Sequence, residues 1–162
     1  MNAADDVVKI IVTQGEKRLE GQCAFAEVQD SRGGALIGAS VSLAAAAVAV
    51  GAAAAEIVGV ISPICVGAIV ATVGFSTAAL LALWSGRACN FHAAGWYPND
   101  FADDVELGRS AREIEIDFAL DLQHRLSENR TALIRRGELY NSATYALLGT
   151  PLAALIFSIL AA

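Results

Sequence analysis

The chain has 162 residues, of which 56% are hydrophobic and only 17% are charged, and its mean hydropathy is +0.52. These values exclude an ordinary soluble globular domain of this size. The formal net charge of −6 gives no general attraction to nucleic acid, so no direct nucleic-acid partner is expected. The opening residues MNAADD are not typical of a secretory signal, because no short apolar region follows a basic one.

The apolar residues are grouped in three blocks that contain no charged side chain. Each block reaches the roughly 20 residues that a helix needs to cross a bilayer core. The sequence therefore predicts an all-α membrane protein with four segments: a cytoplasmic N-terminal helix (1–32), a transmembrane hairpin (33–86, spans at about 35–56 and 62–85), a cytoplasmic loop and helix (87–138), and a third transmembrane helix (139–162).

The N-terminal segment is predicted to be an amphipathic helix that continues into the first span. Counting 100° per residue places one stripe of small and apolar residues on a single face, interrupted by one acid. The stripe consists of Val8, Val12, Gly15, Leu19, Cys23, Ala26, Asp30 and Gly33.

The first span consists almost entirely of Ala, Gly, Ser and Val. Small side chains allow helix backbones to approach closely, and Gly34 and Gly38 form a Gly-x-x-x-Gly pair at its start. We expect several copies, a tetramer as a guess, to assemble around this span. Ser40, Ser42 and Thr72 are then the polar candidates for pore-flanking positions. The alternative is that the small residues pack within one monomer.

Helix starts are predicted after Ser62, which precedes Pro63, and at Ser110, which forms a capping box with Glu113. A further short helix is expected from Asp100. From Ser110 onward, apolar residues recur at helical spacing down to the third span.

The cytoplasmic helix carries polar residues on its apolar face, namely Arg125, Asn129 and Arg136. Asp30 and Arg136 each lie three residues before an uncharged block, so at 1.5 Å per residue they match in depth. This match predicts a parallel helical stalk in which Asp30 faces Arg136 and Gly15 faces Leu122.

Two interpretations of the polar set Asp30, Arg125, Asn129, Arg135 and Arg136 remain open. The first is internal pairing, in which Asp30, Glu27 and Glu20 neutralise the basic side chains and fix the helix register. The second is a site for an anion such as a nucleotide phosphate.

Motifs for catalysis or metal binding are weak in this sequence. Cys89-x-x-His92 is half of a zinc pattern with no second pair to complete it. Asp103 and Asp104 have no nucleophile or base beside them in a rigid motif. We expect no enzyme activity, no cofactor and no metal site.

All basic residues lie in the two regions that an odd number of spans places on one face of the membrane. These residues are Lys9, Lys17, Arg18 and Arg32 on the arm, and Arg87, Arg109, Arg112, Arg125, Arg130, Arg135 and Arg136 between the second and third spans. The positive-inside rule therefore predicts a cytoplasmic N-terminus and a C-terminus on the opposite, periplasmic side.

The layout of an arm helix, a small-residue span, a hairpin, the turn GWYPND and the segment NRTALIRRGELYNSATYALLG resembles compact inner-membrane effectors of bacterial anti-phage systems, including the Pycsar-type transmembrane effectors. The resemblance covers roughly residues 14 to 160. It implies a homo-oligomer that permeabilises or depolarises the bacterial inner membrane, triggered by a nucleotide signal or by a sensor protein encoded nearby. The alternative is a non-conducting membrane scaffold or a small subunit of a larger complex.

Overall fold

The fold is all-helical in the computed structural model, which describes residues 3–59, 62–87, 91–93, 104 and 106–162. It contains α1 (Ala3–Val58), α2 (Pro63–Gly86) and α3 (Ala111–Leu160). Each of the three helices is long and apolar enough to cross a membrane, which confirms the predicted class. α1 continues unbroken from the arm into the first span. The short helix expected from Asp100 begins outside the described residues.

The contacts divide the chain into two compact units. The first, called here the two-helix unit, comprises Met1–Val28 and Ala88–Ile134, and the second, the three-helix unit, comprises Gln29–Arg87 and Arg135–Ala162. α1 and α3 contribute to both units, whereas α2 belongs to the three-helix unit alone.

Both predicted helix starts are present. Ser62 is extended at the N-cap of α2, its Oγ accepts a hydrogen bond from the Cys65 amide at 3.3 Å, and Pro63 occupies the first turn. At α3, the Glu113 amide donates to Ser110 Oγ at 3.3 Å, and the Ser110 amide donates back to the Glu113 carboxylate at 2.9 Å. These reciprocal bonds are the predicted capping box.

In the two-helix unit, α1 packs along α3 through residues that recur every seven positions. Leu19 and Leu122 are each only 2% exposed and form the largest part of this core. A Cβ atom built on Gly15 would lie 2.9 Å from Leu122 Cγ, so the predicted Gly15–Leu122 contact is present and requires glycine. Buried positions at this spacing are typical of coiled-coil packing.

In the three-helix unit, glycines mark the points of closest approach. A Cβ atom on Gly51 would lie 2.9 Å from Ala68 Cβ, one on Gly67 would lie 3.3 Å from the Ala154 carbonyl oxygen, and one on Gly74 would lie 3.0 Å from Thr150 Cβ. Membrane helices use small residues in this way because their backbones then meet at van der Waals distance.

The outer surface of the three-helix unit is apolar. Large exposed side chains there include Leu80, Leu83, Leu148, Leu152 and Ile159. An apolar surface of this extent needs lipid or protein against it rather than water, which agrees with the length and composition of the three helices.

Candidate functional site

The predicted polar residues do not form one cluster within either unit. Arg125 and Asn129 lie in the two-helix unit, whereas Asp30, Arg135 and Arg136 lie in the three-helix unit. Arg135 is exposed, and the remaining four each have a definite partner.

Asp30 and Arg136 form the predicted ion pair. Arg136 Nη1 donates to Asp30 Oδ1 at 3.3 Å, with the arginine side chain 8% exposed and the aspartate side chain 52% exposed. Because the guanidinium is almost fully removed from solvent, a carboxylate at this distance offsets part of its desolvation.

Asn129 holds a loop segment against α3. Its side chain is fully buried, its Oδ1 accepts from the His92 amide at 2.8 Å, and its Nδ2 donates to the His92 carbonyl at 2.9 Å. Cys23 Sγ on α1 donates to the same carbonyl oxygen at 3.8 Å. The amide therefore satisfies the backbone hydrogen bonds of a stretch of irregular chain.

Glu128 joins two histidines beside this segment. Its Oε2 lies 2.5 Å from His92 Nε2 and its Oε1 lies 3.2 Å from His124 Nε2. The hydrogen bond from His92 lowers the pKa of Glu128. Sequence reasoning missed this cluster, although the four-residue spacing of His124 and Glu128 on one helix was a usable signal.

Arg125 pairs within its own helix, since its Nε donates to Asp121 Oδ2 at 2.7 Å. The predicted pairing with Glu20 or Glu27 is therefore wrong. Asp121 lies one turn away from Arg125 on the same helix. An ion pair within one helix therefore restricts fewer groups than an ion pair between α1 and α3 would. Among the residues that the structure describes, Glu20 and Glu27 make no ion pair.

A groove of about 850 Å³ runs along one side of the two-helix unit. We call it the basic groove because Arg18 and Arg130 line it, whereas none of its described lining residues is acidic. Its apolar lining includes Phe25, Leu122 and Leu126. The sequence did not predict this groove, because Arg18 and Arg130 are 112 positions apart and come together only through helix packing.

In the three-helix unit, the predicted small-residue pair lies on an open face. A Cβ atom on Gly34 or Gly38 would meet nothing within 4 Å among the described residues. Two of the predicted pore-flanking hydroxyls donate within their own helices: Ser42 Oγ donates to the Gly38 carbonyl at 2.9 Å, and Thr72 Oγ1 donates to the Ala68 carbonyl at 2.8 Å.

Ser40 lies inside the three-helix unit, not on its surface. It is fully buried, and its Oγ has no hydrogen-bond partner among the residues that the structure describes. A pore-flanking role for Ser40 would therefore require this core to open.

Comparison with protein-family models, with curated proteins and with solved structures found no match.

Proposed function

We propose that the protein is a homo-oligomeric membrane effector that permeabilises or depolarises the bacterial inner membrane in anti-phage defence. The observation that carries the proposal is the open face of α1 at Gly34 and Gly38. Copies associate through this face inside the membrane, with the N-terminus cytoplasmic and the C-terminus periplasmic.

The contrast among the glycines supports self-association. The space beside Gly51, Gly67 and Gly74 is filled by a neighbour within the chain, whereas no described residue fills the space beside Gly34 or Gly38. A close Gly-x-x-x-Gly approach is a common way for membrane helices to associate. The alternative explanation of Gly34 and Gly38 is packing within one monomer. That packing leaves the helix face at these two glycines uncovered.

The pathway through such an assembly is apolar. Ser42 and Thr72 direct their hydroxyl hydrogens to carbonyls of their own helices, so they offer acceptor lone pairs but no free donors. A narrow pore of this kind opens and closes by wetting and dewetting. The defence setting, and a nucleotide signal or sensor protein as trigger, rest on the resemblance in layout described above.

The same inward-turned hydroxyls favour a second candidate, a non-conducting scaffold or small subunit of a larger membrane complex. In this case the open glycine face packs against another protein, and no ion crosses. The two candidates differ in one measurable property, the membrane potential of a cell that makes the protein.

A voltage-sensitive dye in bacteria induced to express the chain tests the proposal. We expect the wild type to depolarise the membrane and Gly38→Leu to abolish this effect, because leucine keeps the two backbones apart. Gly149→Leu is the matched control, since Gly149 is also open in the three-helix unit but lies on α3. Full insertion of wild type without depolarisation favours the scaffold.

A further inference from the structure

We propose that the basic groove of the two-helix unit binds the acidic face of α1 from a second copy of this chain. The inference rests on the proposed homo-oligomer and names a surface outside the transmembrane glycine face. The groove is the acceptor, and Glu16, Glu20 and Glu27 on the neighbouring α1 are the complementary groups.

The groove has the geometry of a coiled coil that lacks its third helix. Ile11, Arg18 and Phe25 line one wall, and Ala119, Leu126 and Leu133 line the other. Each set recurs every seven residues, the spacing at which a helix presents side chains to a second partner. Fourteen residues at 1.5 Å each give a length of about 21 Å, which accommodates two heptads of a helix.

The walls of the groove are incompletely covered. Ile11 and Phe25 are more than half exposed, at 52% and 51%, although they lie beside the buried Leu122. A helix laid in the groove removes this apolar surface from water.

The charge of the groove selects the occupant. Arg18 and Arg130 are exposed and have no ion pair with any other described residue. Gln14, Gln123 and Ser127 add neutral polar groups, and the lining residues that the structure describes include no carboxylate. A bound helix must therefore present acids, since a neutral or basic helix would leave both guanidinium groups without a counter-charge.

The chain carries a matching surface on the other side of α1. Glu16, Glu20 and Glu27 project within about 40° of one another at 100° per residue. Glu27 is nine residues from Arg18, which places it about 180° around the helix. The acids of one copy therefore point away from its own groove and toward a neighbour.

Two different surfaces that complement each other give a head-to-tail contact, which closes into a ring under rotational symmetry. An axis parallel to the helices keeps all copies at the same height. In this arrangement Glu20 of one copy and Arg18 of the next differ by two residues in their position along the helix axis, which is about 3 Å. Gly15 of α1 faces Leu122 of α3, and the two helices run parallel. Arg130, eight residues after Leu122, therefore lies at the height of Cys23, eight residues after Gly15, which is between Glu20 and Glu27.

Cysteine cross-linking in membranes tests the contact directly. Two differently tagged full-length chains carry Glu16→Cys and Gln123→Cys, which lie at the same height in the proposed ring, each in a Cys23→Ser, Cys89→Ser background, and are oxidised with copper phenanthroline. We expect a disulfide-linked dimer that contains both tags. The control replaces Gln123→Cys with His124→Cys, the next position on α3, which is exposed but does not line the groove, and should give no mixed dimer.

Charge reversal provides a second, independent test. Arg18→Glu with Arg130→Glu should lower the cross-linked fraction at least about tenfold, because attraction becomes repulsion. Adding Glu20→Arg and Glu27→Arg to the same chain should restore the association, with cross-linking measured throughout by the Glu16→Cys and Gln123→Cys pair. All four side chains are exposed, so the reversals do not disturb the buried seam.

The outcomes separate this inference from the proposed function. Copies that associate through the membrane and depolarise it, yet give no mixed dimer between the Glu16→Cys and Gln123→Cys chains and no response to charge reversal, would overturn the inference alone. If subunit counting by photobleaching finds the wild type monomeric in membranes, both proposals fail.

Discussion

The Asn129 side chain pairs with the His92 main chain through both ends of its amide, at 2.8 Å and 2.9 Å. Asn129 is seven residues from Leu122 and seven from Arg136, and all three are buried. A polar residue at such a position selects one arrangement over others, because any shift leaves its hydrogen bonds unmade. The pair therefore fixes where the loop segment at residues 91–93 docks within the two-helix unit.

Asn129→Ala should release this loop segment and destabilise the two-helix unit by about 1 to 3 kcal/mol, since the His92 amide and carbonyl lose their partners. The Cys23 thiol contacts the same carbonyl, so its alkylation by maleimide should become faster. The measurement uses Cys89→Ser membranes, with Thr131→Ala as a control at an exposed site on the same helix. An unchanged alkylation rate in Asn129→Ala would show that other contacts hold the segment.

Asp30→Arg and Arg136→Asp should each destabilise the three-helix unit, and the two changes together should partly rescue it. We expect each single change to cost about 1 to 3 kcal/mol, less than for a fully buried pair because the Asp30 carboxylate is half exposed. Unfolding in mixed detergent micelles, followed by circular dichroism, gives the three stabilities. A double variant no more stable than either single variant would contradict the pairing.

The local and periodic features of this chain could be predicted from its sequence. The helix starts at Ser62 and Ser110 depend on residues within one turn. The Gly15–Leu122 contact follows from aligning the apolar stripes of α1 and α3 by their distance from the membrane spans. Both depend on chemistry that is short in range or regular in repeat.

Partner choice among charged side chains was harder to predict. Arg125 had carboxylates available on α1 and on its own helix, and it pairs with Asp121. The loop contact at His92 could not be found either, because an irregular segment has no period that relates it to Asn129. The sequence also could not distinguish a glycine that packs against a neighbour within the chain from one that lies on an open face. Gly74 is of the first kind and Gly38 of the second, and only their neighbours in the structure distinguish them.

Gly74→Leu and Gly38→Leu should have different effects on the monomer. A Cβ atom added at Gly74 would lie only 2.7 Å from Thr150 Cγ2, whereas one added at Gly38 would lie within 4 Å of no described residue outside its own helix turn. We expect Gly74→Leu to destabilise the three-helix unit by about 1 to 3 kcal/mol through overpacking and Gly38→Leu to leave it unchanged. Detergent unfolding of the dissociated monomer measures both, and equal losses would contradict the assignment of Gly38 to an open face.

The start of α3 should lose stability in acid through Glu113. Hydrogen bonds from the Ser110 amide and hydroxyl lower the pKa of Glu113 below its ordinary value of 4.5. A lowered pKa in the folded chain means that ionised Glu113 stabilises the helix start above pH 4.5, and that this contribution is lost as the pH falls through the lower folded value. Hydrogen exchange in the first turns of α3 should therefore show weaker protection in Glu113→Gln than in wild type at neutral pH, and this difference should disappear once the pH falls below the folded pKa of Glu113. Glu115→Gln, two residues further along the helix, is the control and should track the wild type; a Glu113→Gln difference that persists in acid would place its cause outside the capping box.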